Sequence, residues 1–339
     1  MKKLLSVSLS FALAMPLLVE ASAAQEVTVD NFAHAESTRF FTRTVARGGF
    51  GKFVHNPELV PVTSQFIVRP NRDTLYSSAV FDLDAGPVSI SLPDAGKRYF
   101  SLIAISEEQY TPGVSYGAGT YRFDRQQIGT RYVLIGVRTL VDPNDASDLQ
   151  AAHALQQQIK VSQPGGPGSF EQPAWDPASQ DKVRSALLGL AETVGDSRGM
   201  FGTPGNVDPV RHLIGSASAW GGNPERDALY LNRTPSQNDG NQVYRLKIGQ
   251  VPVDAFWSVS VYNAAGYFQT NPLSAYTLNS LTAKRGADGS VEVRFGGCDA
   301  EQANCLPIMP GWNYMVRLYQ PQAAILDGSW KFPEATPLR

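Results

Sequence analysis

The stretch Arg98-Tyr99-Phe100-Ser101-Leu102-Ile103-Ala104-Ile105-Ser106 is apolar at nearly every position. A strand with one wet face alternates apolar and polar side chains, so a strand without that alternation is covered on both faces. Other predicted strands do alternate. Val88, Ile90 and Leu92 stand against Ser89 and Ser91, and Val291, Val293 and Phe295 against Glu292 and Arg294. Ala255–Tyr262 puts Trp257, Val259 and Val261 on one face, with Phe256, Ser258, Ser260 and Tyr262 on the other. Further strands are predicted over Leu75–Leu83, Thr120–Phe123, Arg131–Val137, Val243–Ile248 and Tyr314–Tyr319. Asp288-Gly289 carries hairpin turn chemistry and predicts a partner strand at Ser280–Lys284.

Helical spacing covers Asn31–Arg47 behind a cap at Asp30, then Ala146–Val161, Asp181–Thr193 and Val207–Trp220. With 30 Gly, 23 Pro and 18% charged residues, the composition favours strands and turns over long surface helices. A chain of 339 residues is long enough for two domains, each with its own core. The expected fold is α+β and mainly β, with two antiparallel β-sandwich domains bridged by a helical segment. The expected divisions are 1–23 as a signal peptide, 24–162 as an N-terminal β-rich domain, 163–230 as linker and helices, and 231–339 as a C-terminal β-sandwich domain. Gln163–Pro177, dense in Pro and Gly, is the linker of that scheme. Arg98–Ala104 and Ala255–Val261 echo each other, each after a Pro-Val pair, as two related sandwiches would.

The N-terminus has the form of an export signal: Lys2 and Lys3, an apolar run from Leu4 to Val19, and the small residues Ala21-Ser22-Ala23. The mature chain is expected in the periplasm or secreted, with no membrane span. Cys298 and Cys305 suit that compartment and are expected to form a disulfide, since two thiols without a nearby His make a poor zinc site. A formal charge of −2 gives no electrostatic case for nucleic acid.

Familiar catalytic signatures are absent. Gly113-Val114-Ser115-Tyr116-Gly117 has the hydrolase string but not the strand–turn–helix setting that makes its Ser a nucleophile. His34, His55, His153 and His212 have no metal-ligand spacing, and no phosphate-binding glycine loop opens a helix, so neither a metal nor a cofactor is expected. The remaining cluster is Asn71-Arg72-Asp73-Thr74-Leu75-Tyr76, ahead of the first long strand. As a site, it would use Asp73 as base and Tyr76 as acid or oxyanion donor, with Asn71, Arg72 and Arg98 holding a polar or anionic group. Tyr99, Trp257 and Tyr262 are rings on which a ligand would stack. The same residues have a structural reading. Asn and Asp before a strand close turns through the backbone, and a Tyr at a sheet edge completes core hydrogen bonds.

The run Pro70-Asn71-Arg72-Asp73-Thr74-Leu75-Tyr76-Ser77-Ser78, with Phe81-Asp82-Leu83, Gly86-Pro87-Val88 and Arg98-Tyr99, resembles the N-terminal half of a mostly bacterial two-part family. Its halves are known as domains of unknown function twelve-fifty-four and twelve-fourteen. Pro252-Val253-Asp254-Ala255-Phe256-Trp257-Ser258, Asn271-Pro272-Leu273, Arg317-Leu318-Tyr319 and Leu326-Asp327-Gly328-Ser329-Trp330-Lys331 resemble its C-terminal half. The resemblance implies two sandwiches or jelly rolls and self-association into a homo-oligomer, and it assigns no activity. The chain departs from the family pattern at Leu273–Ser280, where Asn-Arg-Tyr and Gly-Asp-Arg are usual, and at Cys305, where Trp is usual. The leading functional expectation is binding, or cofactor-independent acid/base transformation, of a small polar or aromatic molecule. The alternative is a non-enzymatic structural or assembly protein of the cell envelope.

Overall fold

The computed structural model describes residues 24–338, so the expected signal peptide lies outside the described residues. In the N-terminal half the strands are β1 (Val54–His55), β2 (Thr74–Asp82), β3 (Val88–Leu92), β4 (Phe100–Ser106), β5 (Val114–Tyr116), β6 (Gly119–Phe123), β7 (Tyr132–Leu140) and β8 (Lys160–Ser162). They form a five-stranded sheet in the order β1-β2-β7-β4-β5 and a three-stranded sheet in the order β6-β3-β8. Ala79, Phe81, Leu102, Val133, Ile135 and Val137 pack from the first sheet onto Val88, Ile90 and Phe123 of the second.

The C-terminal half adds β9 (Ala228–Arg233), β10 (Tyr244–Ile248), β11 (Trp257–Tyr262), β12 (Thr277–Asn279), β13 (Val291–Phe295), β14 (Cys305–Leu306), β15 (Asn313–Tyr319) and β16 (Thr336–Pro337). Its sheets run β12-β11-β15-β9 and β14-β13-β10-β16, with Trp257, Val259, Val316, Leu246, Val293 and Trp312 in the core between them. The fold is α+β and mainly β. Among these strands every pairing is antiparallel except the short β13–β14 pair.

The helices are α1 (Phe32–Ala46), α2 (Arg125–Ile128), α3 (Ala146–Gln157), α4 (Pro177–Ala191), α5 (Pro209–Ser218) and α6 (Ala323–Leu326). Asp176 and Asp208 cap α4 and α5, each followed by a proline whose missing N–H costs the first turn nothing. α1 starts one residue late, because Asn31 spends its side chain on the Thr28 N–H and Asp30 caps nothing. Helix α1 is fastened to α4 by the buried Glu36, which accepts from Gln180 and from the guanidinium of Arg184.

Two local expectations are corrected. Ser280–Lys284 forms a turn followed by irregular chain, and the partner of β13 is β10, in the register Ile248 to Val291. The helix predicted to Val161 stops at Gln157, because Ile159 and Val161 pack onto the N-terminal core and Lys160–Ser162 joins β3. The glycine- and proline-rich segment after residue 162 lies against the N-terminal sandwich: Gln163 donates to the carbonyls of Asp82 and Gly86, and the Ser169 N–H donates to the Asp82 carboxylate.

The double cover predicted for β4 is present. One face of the five-stranded sheet builds its own sandwich core, and the other carries Val80, Ile103, Ile105 and Leu134 against Phe41 of α1 and Trp220. The β11–β15 sheet is buried in the same double way. Its outer face joins Tyr99 and the helical residues Leu187, Ile214 and Ala217 in a core shared by both halves. Tyr99, Phe256 and Tyr319 meet at its centre, with Phe256 stacked on Tyr319 at 4.1 Å.

Candidate functional site

A cavity of about 280 Å³ lies between these two outer faces. Strands β2, β4 and β7 supply Tyr76, Ser78, Ile103, Ile105, Leu134, Gly136 and Arg138 to its wall. From the C-terminal half come Tyr230 on β9 and Met315, Arg317 and Tyr319 on β15. Helix α1 contributes Phe40, Arg43 and Thr44, with Arg47 just beyond its end, and the chain before β2 contributes Phe66, Arg69 and Asn71. Arg43 and Arg47 are exposed, so the cavity reaches solvent beside α1.

Gly136 helps to keep this space open. It sits in mid-strand, and a Cβ there would come within 3.4 Å of Ile103 Cγ2 and 4.0 Å of Leu134 Cδ2, both of the wall. A glycine in a strand interior otherwise weakens the strand. The apolar side is completed by Phe40, stacked on Trp220 at 3.9 Å, with Phe66 edge-on to Phe40.

The polar side is made of arginines and phenols. Arg138 is 8% exposed and donates to Asn223 Oδ1 and, at 2.6 Å, to the Gly221 carbonyl. Its guanidinium carbon stands 5.9 Å from the Tyr76 ring centre. Arg317 is 3% exposed and donates to Ser260 Oγ at 2.9 Å, to Tyr262 Oη at 2.6 Å and to the carbonyls of Arg69 and Pro70 at 3.0 and 3.2 Å. Asn71 donates to Tyr319 Oη at 2.9 Å and accepts from the Asp73 N–H at 2.8 Å, which closes the turn into β2. Burial raises the pKa of Tyr230 and of Tyr319 above that of a free phenol, so both hydroxyls stay protonated at neutral pH. No Asp, Glu, His, Lys or Cys belongs to the lining among the described residues.

Of the residues singled out from sequence, Asn71 and Tyr76 line the cavity. Asp73 does not. It is 0% exposed, and its Oδ1 accepts from Asn279 Nδ2 at 3.1 Å and Thr277 Oγ1 at 3.4 Å. Burial raises its carboxyl above the ordinary value, with Arg317 pulling it back. A base needs a route to the proton it takes, and this carboxylate has none into the cavity. Arg72 donates to the Val60 carbonyl and lies over the Tyr276 ring at 5.3 Å. Arg98 pairs with Asp148 and donates to the Leu140 carbonyl, outside the cavity. Tyr99 lies in the shared aromatic core, where burial raises its phenol to about 12. Trp257 is in the C-terminal sandwich core. Tyr262 donates to the Pro70 carbonyl at 2.7 Å and accepts from Arg317. Cys298 and Cys305 form a disulfide. Among the described residues, no three His, Cys, Asp or Glu side chains converge as a metal ion would require.

Residues 50–111 match the family described as protein of unknown function (DUF1254), and residues 228–323 match protein of unknown function (DUF1214). The chain belongs to this two-part family. No curated protein matches it. The VPA0106 protein of Vibrio parahaemolyticus shares the fold with a TM-score of 0.68 and 19% identity, over 92% of this chain and 98% of that one. A putative uncharacterised protein of Burkholderia cenocepacia is more distant, with a TM-score of 0.53 and 13% identity, over 91% of this chain and 87% of that one. The cavity draws on both family halves, while Arg138 falls between the two matched regions. The segment that departs from the family pattern surrounds Asp73 rather than the cavity: it supplies Thr277 and Asn279 to that carboxylate and Tyr276 to Arg72.

None of Arg138, Arg317, Tyr230 and Tyr319 stands among the site residues expected from sequence, although Arg317 and Tyr319 belong to a run that carries the family resemblance. Two of them carry a usable signal. Tyr132–Leu140 and Asn313–Tyr319 each hold one Arg amid apolar residues, and an arginine is almost never fully buried without a purpose for its charge.

Proposed function

We propose that this is an exported protein that binds a small, largely apolar molecule in the cavity between its two sandwiches. The carrying observation is a space of about 280 Å³ walled by both halves, open beside α1, with aromatic rings on one side and converging hydrogen-bond donors on the other. Sites for small ligands have this form: concave, mostly apolar, at a domain interface, with a few placed polar groups. Recognition is the reading supported here over acid/base turnover, because the lining holds donors and cations but none of the side chains that take up a proton near neutral pH. Export accords with the Cys298–Cys305 disulfide and with the basic and apolar pattern of residues 1–23.

A thermal-shift screen of the mature chain tests this reading, using aromatic and aliphatic compounds each supplied as acid, amide and amine. Acids or amides that fill the cavity raise the melting temperature by mass action, and the amines, facing arginines, do not. A panel in which no compound of any charge moves the melting temperature would remove the proposal.

A further inference from the structure

The two arginines deepest in the cavity hold corresponding places in two sheets. Neighbouring strands run β2-β7-β4-β5 in the N-terminal sheet and β9-β15-β11-β12 in the C-terminal one. Across the first three strands of each, directly opposed residues form a row. One row reads Tyr76, Arg138, Ser101 and the other Tyr230, Arg317, Ser258. Both rows lie on the sheet face turned away from the sandwich core, since Val137 and Val316, beside the arginines in sequence, point into those cores.

The surroundings of the two arginines are unequal. Arg317 is spent on fastening the halves together, and Asp73 gives it an opposite charge nearby. Arg138 has only neutral oxygens, one amide and one carbonyl. A guanidinium carries five N–H groups, so donors are left over on Arg138. A buried cation without a counter-charge is costly, and an anion placed beside it removes that cost. The rest of the lining adds to the imbalance. Arg69 has a buried Nε with no acceptor, and Arg43 and Arg47 stand at the mouth. Of these five arginines, none has a carboxylate within 4.0 Å among the described residues.

We infer that the ligand is a small organic acid whose carboxylate sits on Arg138 beside Tyr76, with its apolar body along Ile103, Ile105, Leu134 and Trp220. The inference rests on the cavity being a ligand site and adds the chemical class and the orientation. A planar fork of N–H groups matches a carboxylate in two parallel bonds, which a neutral amide cannot reproduce. Arg43 and Arg47 draw the anion toward the opening before it is seated.

Titration calorimetry with 2-naphthoate and its neutral analogue 2-naphthamide tests this. The wild type is expected to bind the acid at least about tenfold more tightly than the amide. In Arg138→Gln the two affinities should fall within about threefold of each other, and in Arg138→Lys part of the preference for the acid should survive. Tyr76→Phe gives an independent reading, with a weakened preference for the acid over the amide. Equal affinity for acid and amide in the wild type, or an undiminished preference in Arg138→Gln, overturns the assignment while leaving the cavity as a binding site. If neither probe binds, the cavity reading fails and the assignment fails with it.

Discussion

Arg317 and Arg138 stand at corresponding points of two sheets and are both buried, yet their neighbours differ in kind. Around Arg317 the chain has supplied two main-chain carbonyls from the segment before β2, a serine, a phenol and a nearby carboxylate. Around Arg138 it has supplied one side-chain amide and one carbonyl. The difference continues two residues back along each strand, where Met315 fills space and Gly136 leaves it. One outer face has become a fastening and the other a wall with a hollow in it. Similar strands can thus be put to different uses by changing what surrounds a single charge.

The largest effect should come from Arg317. Arg317→Gln breaks the buried network of bonds to Ser260, Tyr262 and the Arg69 and Pro70 carbonyls at once and is expected to cost about 3–5 kcal/mol. Arg138→Gln should cost no more than about 1 kcal/mol, because its lost bonds to Asn223 and Gly221 are offset by removing a buried cation that has no counter-charge. Urea denaturation of both variants gives the comparison directly, and equal losses would erase the distinction drawn between the two rows.

A middle-sized effect is expected from Gly136→Val. A branched side chain suits a strand, and its methyls would enter the hollow where Gly136 has only hydrogen. Stability should hold or rise by up to about 1 kcal/mol, while binding of any cavity ligand falls by about tenfold or more. Melting curves and calorimetry on the same preparation separate these two outcomes. Loss of stability with binding intact would place the ligand elsewhere.

The smallest effect concerns pH. Burial raises the Asp73 carboxyl above its ordinary 3.8, so the stabilisation that comes from protonating it is complete below that value and is lost as pH rises through the folded value. Asp73→Asn mimics the protonated carboxyl at every pH. The melting temperature of the variant should therefore gain on that of the wild type as pH is raised from below about 4 toward neutrality. A variant that instead falls further behind with rising pH would show that the ionised carboxylate is a net stabiliser beside Arg317.

Much of the fold was legible because period-two patterning and double burial are local properties of sequence. The unbroken apolar run at β4 required cover on both sides, and the second sandwich supplies part of it through Tyr99. The failures were tertiary. Ser280–Lys284 lies beside a good turn, but β10 offered β13 a longer apolar edge. Ile159 and Val161 read as the end of a helix until their packing on the N-terminal core is known. The site was legible only at Asn71 and Tyr76. Asp73 looked available because its sequence neighbours are polar, whereas its actual partners, Thr277 and Asn279, come from the other half of the chain. Arg138 and Arg317 are brought together by the facing of two sheets, which no local pattern encodes.

The wall of the cavity is shared, and so is the aromatic core beside it. Neither sandwich can melt away from the other without exposing Tyr99, Phe256 and Tyr319 to water. A molecule bound in the cavity would therefore act as mortar between the two halves. Its binding free energy is added to a single joint unfolding step, so an empty protein should be the easier one for a protease to open.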